Sequence, residues 1–167
     1  MSNFILMTDS STDLPKTYYE TNDVELIPIR YVLDGVEYKD DAGVSMDYKE
    51  FYARMRAGSM STTSLINRDE YTQAFERFLS EGKDVLYISI SSGISGSYQS
   101  AVGAAEELSE KYPHRKLYIC DGLLCIYGRR GAGTPCSKIA CCRQKYRRSS
   151  RLGRGKQNER HTPVHCR

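Results

Sequence analysis

The chain has 167 residues, of which 40% are apolar, with a mean hydropathy of −0.55 and a formal charge of +3; this is enough for one domain of ordinary size. No apolar run reaches about 18 residues, which excludes a membrane-spanning helix, and Met1 to Asp9 lacks the basic region and the length of a signal peptide, so a cytoplasmic protein is expected. The mean charge hides a break, since Met1–Asp121 holds 12 Lys+Arg against 20 Asp+Glu, whereas Gly122–Arg167 holds 12 against one, together with five of the six cysteines. A single average therefore describes two unlike sequences.

In chain order, Asn3 to Thr8 is a short apolar run ending in polar Asp9-Ser10-Ser11, the pattern of a buried strand feeding a loop. Thr12-Asp13-Leu14-Pro15 opens a helix with a cap followed by proline. Glu25 to Val32 is a second apolar stretch, Asp34-Gly35 is a hairpin turn signal, and Val36 to Tyr38 returns. A helix is expected from Ser45, with Tyr48, Phe51, Tyr52 and Met55 on one face and Gly58 as its stop. Ser59 to Asn67 reads as a polar, hydroxyl-rich loop. Asp69 to Ser80 is amphipathic at helical spacing and ends at Gly82. Asp84 to Ile90 is the clearest strand. A small-residue loop over Ser91–Gly96 joins it to a helix over Ser97–Lys111, and Lys116 to Cys120 is a last strand ending in Asp121. Strands alternating with helices predict an α/β domain with a mostly parallel sheet and flanking helices. Ligands of such sheets sit at the carboxyl ends of the strands.

Three segments carry candidate chemistry. Ser91 to Ala101 joins a strand to a helix start, where unpaired N–H groups, a partial positive charge and the hydroxyls of Ser95 and Ser97 suit a phosphate or a carboxylate. By itself this loop reads more simply as a capped turn. Ser61-Thr62-Thr63-Ser64 supplies four hydroxyls in a row, and alone it reads as a solvated loop with Asn67 or Ser64 capping the next helix. Asp9, at a strand end, alone reads as an Asx turn.

Read together, these segments resemble the DegV family in order and spacing. The family motifs stand here as T-D-S-S-T-D-L-P, T-T-S-L-I-N and I-S-S-G-I-S-G-S-Y-Q-S-A. In the second, Leu65 and Ile66 depart from the usual pair. The resemblance covers nearly all of Met1–Asp121. It implies the Rossmann-like amino-terminal domain of a two-domain fold that holds one long-chain, palmitate-like fatty acid in a tunnel. The carboxylate would be bound by Thr63, Ser95 and Gly96, with Ser64 as a weaker candidate. The implied protein is a carrier that presents the acid to a separate fatty acid kinase. It has no catalytic residue of its own, no cofactor and no metal. A hydroxyl and amide cradle suffices to keep a carboxylate charged without a buried Lys or Arg. The competing reading is an α/β hydrolase using Ser95 on a small phosphorylated or acylated substrate. Gly93-Ile94-Ser95-Gly96-Ser97 is not G-x-S-x-G, however, and His114 is the only histidine before the tail.

The segment 122–167 is basic, Cys-rich and without periodicity, and a disordered tail is expected. Its C-x4-C-C and H-x3-H spacings match no common zinc pattern, and its Lys and Arg lack interleaved aromatics, so neither a metal nor a nucleic acid is expected as partner. Reading permitted codons for Leu124 to Gly131 one base later yields C-A-S-M-G-E-G, and the same shift further on restores acidic, amphipathic phrases. A frameshift near Asp121–Leu124 is therefore expected, which would leave a truncated carrier without its second domain, exposed apolar surface and weak lipid binding. Sequencing the gene across the codons for Asp121 to Arg130 checks this: a gained or lost base is expected, and an intact frame would refute it.

Overall fold

The computed structural model describes residues 4–122. Seven strands and four helices follow in the order β1 (Phe4–Asp9), α1 (Lys16–Asn22), β2 (Val24–Ile27), β3 (Arg30–Leu33), β4 (Val36–Lys39), α2 (Tyr48–Arg56), β5 (Ser61–Ser64), α3 (Arg68–Ser80), β6 (Asp84–Ile88), α4 (Ser97–Lys111) and β7 (Leu117–Cys120). Strands β2-β1-β6-β7 form a parallel sheet in that order, and β4-β3-β5 form a second, antiparallel one. The expected α/β architecture with a parallel sheet and flanking helices is observed.

Both faces of the parallel sheet are covered, because successive side chains of a strand point to opposite sides. Met7, Val85, Tyr87 and Ile119 face α3 and α4, where Tyr71, Phe75, Ala101, Ala105 and Leu108 meet them. Phe4, Leu6, Leu86, Ile88 and Cys120 face the other way, onto Tyr19 of α1 and Leu14. Helix α3 starts in a capping box: Asn67 accepts from the Glu70 amide at 2.9 Å, and Glu70 accepts from the Asn67 amide at 3.0 Å. The Asp34-Gly35 turn has positive φ at both residues, 52° and 81°, the backbone a tight hairpin requires.

The second sheet departs from expectation in two places. Glu25–Val32 is not one stretch, since Pro28 lies between β2 and β3 and each joins a different sheet. The hydroxyl-rich segment is not wholly a loop: Ser61–Ser64 is strand β5, with Tyr31 opposite Thr63 and Arg30 opposite Ser64. Thr is β-branched and favours a pleated strand once a partner edge is present, and that edge lies about 30 residues away in the chain, beyond the reach of local patterning. Helix α2 begins at Tyr48 rather than Ser45, capped by Asp47, which accepts from the Lys49 amide at 2.8 Å. No residue of α2 is buried, so its apolar face over Tyr48, Tyr52 and Met55 stays open among the described residues. No described helix is long and apolar enough to cross a membrane. The tail expected over 122–167 lies outside the described residues from position 123 onward.

Phe75 is fully buried, with its ring 5.6 Å from that of Tyr71 and 5.4 Å from that of Tyr87. Phe75→Ala should lower the unfolding free energy by about 3–5 kcal/mol, as read from urea denaturation followed by circular dichroism; a loss below about 1 kcal/mol would contradict this packing.

Candidate functional site

Strands β1 and β6 lie side by side in parallel, with Thr8 opposite Ile88, so the loops that follow them emerge together at the carboxyl edge of the sheet. Asp9 joins the two. Its carboxylate is fully buried and accepts from the Ser11 amide at 3.1 Å, the Ser11 hydroxyl, the Tyr87 hydroxyl at 2.8 Å and the Ile90 amide at 2.7 Å. The Tyr87 and Tyr71 hydroxyl oxygens lie 2.8 Å apart. Burial pushes both phenols well above their ordinary titration range, and for Tyr87 the Asp9 carboxylate adds to the effect.

The loop between β6 and α4 folds on itself. The amides of Ile94 and Ser95 donate to the Ser91 carbonyl at 3.1 and 3.2 Å, and that of Gly93 to the Ser91 hydroxyl at 3.2 Å. The Ser92 amide donates to Asp121 at 3.0 Å, and the Ser97 amide to the Ser95 hydroxyl oxygen at 3.2 Å. Among the described residues the Gly96 amide, like that of Ser91, donates to no group in the loop or elsewhere. It sits at the start of the 15-residue helix α4 and is exposed. Gly122 packs beneath the loop, where a Cβ would collide with the Ser89 carbonyl oxygen, so no larger residue fits there without a shift.

The second motif reaches the same region. A Cβ on Gly96 would lie 3.6 Å from Cδ1 of Leu65, which places the end of β5 against the start of α4. Leu65 and Ile94 are 60% and 72% exposed, so an apolar rim flanks the open amide. Along β5, Ser61 and Thr63 line a cavity of about 190 Å³ together with Tyr31, Phe51, Met46 and Asp40. Ser64 is exposed and, following the pleat, points to the opposite face from Thr63. Gly96 and Leu65 are thus in contact, whereas the cavity that Thr63 lines includes neither Ser95 nor Gly96, and Ser64 turns away from it.

Local patterning did not single out the polar residues of that cavity. Burial raises the Asp40 carboxyl above its ordinary range, opposed by a hydrogen bond from Ser10. The Tyr48 hydroxyl, 3.4 Å from Asp40, is pushed up to about 12 by burial and by that neighbouring charge. The signal available was the Ser10-containing first motif itself, because its hydroxyl oxygen also accepts from the Ile29 amide at 3.1 Å and so ties the two sheets together. Among the described residues no three His, Cys, Asp or Glu side chains gather as a metal site.

Because Tyr71 and Tyr87 keep their protons in the fold above the unfolded value of 10.0, the unfolded chain releases protons first as pH rises. Their contribution to stability is complete below pH 10 and is lost above it. Urea midpoints measured from pH 8 to 11 should fall across the upper end of that range, and less steeply in Tyr87→Phe; a flat profile in the parent chain would contradict the buried phenols.

A family model described as "Uncharacterised protein, DegV family" matches residues 3–133. A DegV domain-containing protein of Clostridium perfringens is 37% identical over 121 residues, 72% of this chain and 42% of that protein. Among solved structures, a stearic acid-binding protein of Eubacterium ventriosum superposes with a TM-score of 0.65 at 28% identity, over 82% of this chain and 52% of that one. The Streptococcus pneumoniae fatty acid kinase B3 protein, loaded with linoleic acid, shares the fold at a TM-score of 0.56 and 24% identity, over 74% and 42%. The chain spans about half the length of the relatives it matches.

Proposed function

The chain belongs to the DegV family, and from that premise we propose that it binds the carboxylate of a long-chain fatty acid as a non-catalytic carrier. The observation that carries the reading is the open Gly96 amide at the start of α4, beside Ser95 and within contact of Leu65. A helix start with a free N–H favours an anion, and hydrogen bonds to a charged group are among the stronger ones. In this reading Ser95 and Gly96 take one side of the head group and Thr63 the other. Ser64, on the opposite face of β5, has the weaker role. The exposed Leu65 and Ile94 meet the first methylenes of the acyl chain, each buried methylene contributing about 0.8 kcal/mol.

Stearic acid is the ligand named for the Eubacterium ventriosum relative, and the Streptococcus pneumoniae neighbour is named as a fatty acid kinase protein. Carried to this chain, they support a saturated or unsaturated long-chain acid as ligand and a separate kinase as partner. The non-catalytic part of the proposal has a local support as well. Among the described residues the hydrogen bonds of the Ser95 hydroxyl are to Ser97, and no histidine stands among its partners. In the same proposal 1–121 is the binding domain, and 122–167 is the out-of-frame segment that the gene sequence tests.

Titration of the 167-residue chain with palmitate, followed by calorimetry or by displacement of a fluorescent fatty acid, tests the site. Ser95→Ala and Thr63→Val should each weaken binding by about tenfold or more, whereas Ser64→Ala should change it by less than about threefold. Unchanged affinity in both of the first two variants would overturn the assignment.

A further inference from the structure

Residues 30–64 form the antiparallel sheet and α2, and apolar packing does little to fix them against the rest of the domain. Leu33 and Met46 are the buried apolar side chains of that stretch, and neither belongs to the core on either face of the parallel sheet. Ala42 meets one of those cores but is only partly buried. Two cavities lie along the seam, one of about 190 Å³ beside Thr63 and one of about 300 Å³ between Arg30 and the side chains of Met7, Ile66 and Phe78. Open space of this size leaves little dispersion contact to hold the two parts in register. Polar bonds do so instead, at the two places where the chain crosses the seam. At the first, the Ile29 amide donates to the Ser10 hydroxyl oxygen at 3.1 Å, and the Ile29 carbonyl accepts from the Asp40 amide at 2.8 Å. At the second stands Arg30, whose guanidinium lies 2.5 Å from the Glu70 carboxylate of α3 and 3.2 Å from that of Glu37 in β4.

We propose that Arg30 is a positioning residue of the head-group site, which sets Thr63 relative to Gly96 by tying β5 to the first turn of α3. The inference rests on the reading of Thr63 as a head-group contact. Arg30 stands opposite Ser64 in the ladder between β3 and β5, next to the pair of Tyr31 with Thr63. Its ion pair then reaches past the turn over Leu65 and Ile66 to Glu70. Glu70 divides its two oxygens, one to Arg30 and the other to the Asn67 amide at 3.0 Å, so the pair acts on the capping box that starts α3. The turn between Ser64 and Asn67 is thereby held at both ends, on one side by the strand of Arg30 and on the other by its side chain. Within that turn lies Leu65, whose Cδ1 would stand 3.6 Å from a Cβ on Gly96. A planar guanidinium serves two carboxylates at once, which an ammonium on a flexible stem does less well. The Arg30 and Glu70 side chains are 42% and 26% exposed, so the pair adds little to stability; its effect is on where the segment sits.

Palmitate affinity of the full 167-residue chain tests this in two variants. Arg30→Met keeps an apolar stem without the charge, and Glu70→Gln keeps an oxygen to cap α3. Each should weaken binding by about three- to tenfold, the worth of one hydrogen bond. Because Arg30 acts through Thr63, Arg30→Met should cost no more than about twofold in a Thr63→Val background, while its full loss should remain in a Ser95→Ala background. Unchanged affinity in both single variants, or full additivity with Thr63→Val, overturns the proposal. General damage to the fold would weaken binding in every background, so it reads as additivity and is not mistaken for support. Proton NMR of the unliganded chain gives a second readout. A cross-peak between a Leu65 methyl and the Gly96 α-protons should be present in the parent and weakened in both variants; one that keeps its parental strength in both overturns the positioning role. Thr63→Val alone separates the two readings: if palmitate binds that variant as well as the parent, the head-group assignment of Thr63 fails, while the hold of Arg30 on the segment stands or falls on the NMR result.

Discussion

A carboxylate buried without a cation among the described residues is the constraint around which this domain is arranged. Asp9 lies at the end of β1 with no exposed surface, and its charge is met by two amides and two hydroxyls. An isolated charge in such a place costs several kcal/mol, and each donor offsets part of that only if it is held in position. The donors come from the turn after β1, from the body of β6 and from the first residues beyond β6. Satisfying Asp9 therefore fixes the relative position of the two loops at the carboxyl edge of the sheet.

From that anchor the rest of the site follows by short steps. Ser10, next to Asp9, accepts from the Ile29 amide, which holds the antiparallel sheet against the parallel one. Strand β5 completes that second sheet and delivers Thr63 to the cavity and Leu65 to Gly96. On the other side, Tyr87 carries the hydrogen bonding from Asp9 across the interior to Tyr71 of α3. Asp9, Tyr87 and Tyr71 thus form a connected network, which is how a core tolerates buried polar groups.

The described domain is acidic, yet the site proposed within it receives an acid. Long-range charge works against such a ligand, so recognition falls to groups acting at contact distance, namely the free amide, the hydroxyls and the helix start. These act over a few ångströms and are most effective when water is excluded. The exposed Leu65, Ile94 and α2 face are the apolar surfaces that an acyl chain or a covering segment would use to exclude it.

Much of this was legible in the linear sequence. The order of strands and helices could be read because each element carries its own periodicity and its own stop, as with Asp34-Gly35, Gly82 or the Asn67–Glu70 capping box. The three motifs were equally visible, since they are runs of adjacent residues. The tertiary structure alone decided what depends on residues far apart in the chain. Ser61–Ser64 became a strand because β3 offered it an edge, and Thr63 and Ser64 were thereby sent to opposite faces. The Ser91 carbonyl took the amides of Ile94 and Ser95, and that of Gly96 has no acceptor among the described residues. Asp9, which reads locally as an Asx turn, proved to hold both that turn and a tyrosine 78 positions away. Local sequence sets backbone preference and the period of burial; the partner of a buried charge is set by where the chain returns, and no short window contains that information.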